Sequence, residues 1–74
     1  MLTTTELQEA RTKLAGFLKQ KRKEKGLSSQ ELAERLGILQ PSLSRIESGK
    51  FWISTKLLLQ FCKELDIKLF EDGI

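Results

Sequence analysis

Apolar residues along the chain recur at steps of three and four, and capping residues break them into four runs. The first run carries Leu7, Ala10, Leu14, Phe17 and Leu18 on one helical stripe. Thr3 and Glu6 have capping-box spacing ahead of it. Lys19 to Lys25 make a polar end, and Gly26 suits the residue beyond a helix terminus. The spacing predicts a first helix over about residues 4–25. A second helix begins at Ser28 or Ser29, where Ser28 and Glu31 repeat the capping-box spacing. It turns Leu32, Ala33 and Leu36 inward and stops at Gly37, which takes a positive φ cheaply. A third starts near Gln40, with Pro41 in the first turn, where a missing N–H costs nothing, and closes at Ser48-Gly49. Its inward residues are Leu43 and Ile46. The fourth starts at Ser54 and places Leu58, Phe61, Cys62 and Leu65 on one side. The tail Ile67-Lys68-Leu69-Phe70 reads as a short strand or as continued helix. No internal repeat, linker or low-complexity stretch interrupts the chain.

Residues 28–49 thus read as two helices over a tight glycine turn, a helix-turn-helix whose second helix suits a DNA major groove. With Leu43 and Ile46 committed to the core, Gln40, Ser42 and Arg45 are placed on the outward, N-terminal face of that helix. A glutamine amide bonds adenine N6 and N7 together, and an arginine forks onto guanine O6 and N7. A serine between them lets the helix approach closely. An ordinary polar face in a helical bundle would show the same spacing.

Composition supports an all-α reading, since Leu, Lys and Glu abound and Val, Tyr and His are absent. Seventy-four residues make one domain, 1–74, near the lower size limit for a lone core, where dimerisation or close helix packing commonly adds stability. The net charge is +3, and the excess lies in residues 1–26, with seven Lys/Arg against three Glu. That is weak support for a phosphate-binding face, and a solvated Lys-rich helix explains it equally. Cys62 stands alone, so no internal disulfide is possible and a cytoplasmic setting is expected. No apolar run approaches the ~18 residues of a membrane span. The amino terminus lacks a signal-peptide core.

The stretch from Leu18 to Ile67 resembles the phage-repressor-like (Cro/C1-type, XRE) helix-turn-helix family. The matching words are Arg22…Gly26-Leu27-Ser28, then Glu31 to Gly37, then Ser42-Leu43-Ser44-Arg45-Ile46-Glu47-Ser48-Gly49-Lys50, then Leu58-Leu59, Phe61 and Leu65-Asp66-Ile67. The resemblance implies a compact four- to five-helix, lambda-repressor-like domain that binds an inverted repeat of double-stranded DNA as a dimer, third helix in the major groove. Carried over by position, it makes Gln40, Ser42 and Arg45 base-reading residues. Ser29 becomes a backbone contact whose amide, at a helix N-terminus, meets a phosphate. Ser48 and Lys50 bound the phosphate-gripping loop, and Arg22 and Glu47 form an internal ion pair. The family-like core is then 18–67, with residues 3–17 an extension of the first helix and 67–74 a tail.

Three departures bear on this. Leu39 stands where a small hydroxyl N-cap is usual, leaving Gln40 as a poor cap or Leu39 as a hydrophobic staple. Pro41, at a position able to meet backbone or base, removes a donor there. Phe51-Trp52-Ile53 replaces a polar loop, and three readings stand: a plug over the domain's own core, a dimer contact through Phe51 and Trp52, or a DNA contact. The tail through Leu69 and Phe70 is a second candidate for dimerisation, since a lone strand needs a partner. A frayed end or short fifth helix is the alternative. Leu7 and Ala10 pack on that tail or on another subunit.

Enzymatic chemistry finds little support. The usual base near neutrality, His, is missing, Cys62 lies on the apolar side of its helix, and no four-ligand zinc set or Gly-rich phosphate loop occurs. No cofactor or metal is expected. The leading function is a sequence-specific DNA-binding repressor acting as a homodimer. The alternative is an antitoxin that neutralises a toxin partner and binds DNA to regulate itself. A restriction-modification controller is a third option.

Overall fold

The structure is a computed structural model, and it describes residues 1–68. Among these, four helices run in chain order: α1 (Thr4–Glu24), α2 (Ser29–Leu36), α3 (Gln40–Glu47) and α4 (Thr55–Glu64). No strand forms among the described residues. Ile67 and Lys68 are irregular, and Leu69 and Phe70, the rest of the expected strand, lie outside the described residues.

Local chemistry sets each boundary. The Thr3 hydroxyl accepts from Glu6 N–H and the Glu6 carboxylate accepts from Thr3 N–H. Ser28 and Glu31 repeat this at α2, and the Ser54 hydroxyl caps α4 through Leu57 N–H. Only α3 starts without a side-chain cap; its N-cap residue is Leu39, with Pro41 in the first turn. Leu39 is 74% exposed, so it staples nothing. All four helices end alike. A backbone N–H beyond the end reaches back to a carbonyl five residues earlier: Leu27 to Arg22, Ile38 to Ala33, Lys50 to Arg45 and Ile67 to Cys62. This closure needs a left-handed residue, supplied by glycine in the first three cases and by Asp66 (φ 56°) in the fourth.

The core centres on Leu18, Leu32, Leu43 and Phe61, one side chain from each helix and all fully buried. α2 packs on α3 and α4, and α1 packs on α3. The buried face of α1 is Ala15, Leu18 and Arg22. Phe17, counted on the same stripe from sequence, is 46% exposed, with the Lys21 ammonium 5.5 Å from its ring centroid. It sits about 100° round the helix from Leu18 and borders an open groove with Leu65 and Ile67 at the end of α4.

The capping boxes give stability an acid dependence. Backbone hydrogen bonds from Thr3 and Ser28 hold the Glu6 and Glu31 carboxyls below their ordinary value of 4.5. A carboxyl depressed in the folded state contributes stability that is complete above its unfolded pKa and is lost as pH falls through the folded one. The urea midpoint is therefore expected to drop on acidification below pH 4.5. Paired Glu6→Gln and Glu31→Gln changes should flatten that drop by lowering the neutral-pH midpoint toward the value the parent shows in acid. An equally steep acid limb in the double variant would refute the assignment.

Candidate nucleic-acid interface

α3 packs on α2 and α1 with Leu43 and Ile46 buried. At about 100° per residue, this turns Pro41, Ser44, Arg45 and Ser48 directly outward, with Gln40 at their edge. All five are exposed, while Ser42 is half-buried on the flank. Against the outward set of Gln40, Ser42 and Arg45 expected from sequence, Ser44 takes the place of Ser42, and Pro41 and Ser48 join the face. The signal for Ser44 was available in the offsets from Leu43 and Ile46.

The side chains on this face are partly engaged. Gln40 Nε2 donates to Ser44 Oγ at 2.9 Å and to Ser29 Oγ at 3.2 Å, tying the start of α3 to the start of α2. Both amide protons are therefore used, and bidentate contact with adenine, which needs an N–H for N7, requires one serine bond to be given up. Arg45 makes no ion pair among the described residues. Its guanidinium carbon stands 5.4 Å from the Phe51 ring centroid.

Two backbone features flank the helix. Ser28 takes the N–H of Glu31, leaving those of Ser29 and Gln30, in the first turn of α2, for an outside acceptor. After α3, the N–H groups of Ser48, Gly49 and Lys50 bond back to Ser44, Ile46 and Arg45, and the Ser48 hydroxyl donates to the Arg45 carbonyl at 2.8 Å. What this loop offers a phosphate is the exposed Lys50 ammonium.

Arg22 and Glu47 lock α3 in place. Arg22 Nε donates to Glu47 Oε2 at 2.8 Å and Nη2 to Oε1 at 3.1 Å, while Nη1 donates to the Leu27 carbonyl at 2.8 Å. The two side chains are 10% and 6% exposed. The Phe51–Ile53 loop leans on α1. Phe51 and Ile53 line an apolar pocket of about 120 Å³ with Leu14, Leu18 and Ile46. Trp52 is 62% exposed and lies under the Arg11 guanidinium at 5.0 Å, a contact with no sequence signal. Buried Cys62 has its thiol pushed up by desolvation, which suits a core residue rather than a nucleophile.

A helix-turn-helix with a polar, solvent-facing second helix defines the class: a DNA-binding transcriptional regulator. The chain belongs to the helix-turn-helix family of Cro/C1 (XRE) type, whose family model matches residues 18–71. It is 38% identical over 71 residues to the "ImmF control region 10 kDa protein" of Bacillus phage phi105, covering 82% of this chain and 79% of that protein. Among solved structures it is similar to the clp gene regulator ClgR of Corynebacterium glutamicum, at 34% identity and a TM-score of 0.73. That match covers 76% of this chain, and the chain spans 60% of the ClgR structure. No described helix is long and apolar enough to cross a membrane.

Proposed function

We propose that this chain is a sequence-specific repressor in the cytoplasm that binds an inverted-repeat operator as a homodimer. The observation that carries the reading is the outward face of α3, where Arg45 keeps its forked donors free beside Gln40. Arg45 reads a guanine and Gln40 an adenine, Ser42 and Ser44 border the groove, and Pro41 allows close approach. Ser29 and Gln30 amides hold one phosphate, and Lys50, beside Ser48, holds another. Two copies would place their α3 helices about 34–36 Å apart, one turn of the duplex. Trp52 is the better dimer candidate of the two rings in this loop, because it is the more exposed, at 62% against 48% for Phe51. The phage relative, named for a control region, supports a regulatory role.

The test is fluorescence anisotropy with DNA from upstream of the chain's own gene, against random duplex, over a salt series. The protein is expected to prefer the upstream DNA by ~10³-fold or more, with affinity falling steeply as salt rises. Arg45→Ala and Gln40→Ala should each remove ~1–3 kcal/mol of the preference. Equal, weak binding of both duplexes by all three proteins would overturn the reading. A second small protein co-purifying from the native host would then favour the antitoxin role, for which exposed Trp52 offers a surface.

A further inference from the structure

We propose that Phe51 is a positioning residue for DNA reading: its ring holds the Arg45 guanidinium by its face and leaves the donor edge free for a base. The inference rests on the groove-reading role of Arg45 given above. An exposed arginine without a partner samples many rotamers, and binding must select one of them. A carboxylate partner would restrain it but would consume the donors that reading requires. Arg22 shows that outcome, since its Nε and both terminal nitrogens are spent on Glu47 and Leu27. An aromatic ring restrains differently. It attracts the flat face of the cation, while the N–H groups lie in the guanidinium plane and point past the ring.

The chain after α3 is built to bring that ring alongside. Gly49, at φ 77°, reverses the backbone. Lys50 N–H and the Ser48 hydroxyl both bond the carbonyl of Arg45 itself. This returns residue 51 to the side of residue 45, and the ring centroid comes to 5.4 Å from the guanidinium carbon. One side of Phe51 faces the apolar pocket that Leu14, Ile46 and Ile53 also line. It is 48% exposed, so the ring spans from that pocket to the surface. Arg45 is thus restrained at its carbonyl by two hydrogen bonds and at its guanidinium by one ring, with no donor spent.

The test combines Phe51→Leu, which keeps apolar bulk over the pocket but removes the ring, with Phe51→Tyr, which restores a ring, and with Arg45→Ala. In the free protein, Phe51→Leu should abolish the ring-current shift of the Arg45 Nε–H resonance and leave those of Arg11, Arg22 and Arg35 in place; Phe51→Tyr should keep it. On DNA, Phe51→Leu should lower the preference for upstream over random duplex by roughly 2–5-fold, the worth of an exposed cation–π contact. Combined with Arg45→Ala it should lower it no further. An unchanged Arg45 resonance in Phe51→Leu overturns the proposal, whatever the DNA result. So does a loss that multiplies with that of Arg45→Ala, or one that strikes both duplexes equally and marks a phosphate or dimer role. If Arg45→Ala itself leaves the preference intact, the groove-reading role fails and this inference fails with it. A normal Arg45→Ala loss beside an inert Phe51→Leu refutes the role of Phe51 alone.

Discussion

Glu47→Ala is expected to cost about 3–5 kcal/mol of folding stability, because it leaves the Arg22 guanidinium buried with one carbonyl for company. A domain of 74 residues has roughly 4–11 kcal/mol in all. The melting temperature should therefore fall by roughly 15–30 °C, read by circular dichroism on heating. The exposed pairs form the contrast. Lys21–Glu24 stands at 3.6 Å and Arg35–Glu64 at 3.9 Å, both in solvent, so Glu24→Ala and Glu64→Ala should each stay within about 1 kcal/mol of the parent. A joint Arg22→Met, Glu47→Leu change should recover much of the loss, since no charge then remains buried. Recovery should be incomplete, because the Leu27 carbonyl loses the donor it has in Arg22 Nη1. A melting point for Glu47→Ala within a few degrees of the parent would show that the contact is structurally idle. The pair links the last residue of α3 to α1 and to the turn before α2, so a surviving fold should also discriminate DNA less well.

Phe61→Ala should produce a loss of similar size, about 3–5 kcal/mol, through a different mechanism. The ring is fully buried and belongs to the cluster with Leu18, Leu32 and Leu43. Alanine would leave a void that four short helices close only in part. The urea midpoint should fall with an unchanged slope, the mark of lost stability without a new unfolded state. Leu39→Ala, at a residue 74% exposed, should lie within about 0.5 kcal/mol of the parent. If the two variants lost comparable stability, the assignment of the core to Phe61 would be mistaken.

The helices were legible in the sequence because their boundaries rest on local chemistry. Thr3-Glu6 and Ser28-Glu31 name their own partners three residues away, and Gly26, Gly37 and Gly49 mark the left-handed closures. Asp66 closes α4 in the same way without such a signal; the Lys25 ammonium pairs with its carboxylate and holds it below the ordinary range. Burial was legible where a helix has neighbours on one side, as for Leu32 and Leu43. It failed for Phe17, which lies between buried Ala15 and Leu18 along α1 but about 100° round the helix from Leu18. For the candidate interface, the sequence located the helix α3, while the face that α3 turns outward differs from the one expected. The sequence reading puts Ser42 outward once Leu43 and Ile46 are committed to the core, but at about 100° per residue those two residues leave Ser42 on the flank, half-buried, and turn Ser44 outward. The bond of Gln40 to Ser44 has the i,i+4 spacing of helix neighbours and was open to a sequence reading, whereas the bond of Gln40 to Ser29 and the rings under Arg11 and Arg45 join residues distant in sequence or set by loop conformation, and no periodicity encodes them.

The family match opens at residue 18, yet the turn after α3 is fitted against a residue well before it. Gly49 is buried at φ 77°, and a Cβ there would stand 3.1 Å from the Thr12 Cα and 3.3 Å from its Oγ1. Positions 12 and 49 are thus one steric unit. Across relatives that share the long first helix, the two should vary together, a bulkier residue at 12 appearing only where the loop is rebuilt. Transplanting α3 and its loop onto a shorter scaffold would carry over the outward residues of α3 but not the wall on which the loop leans.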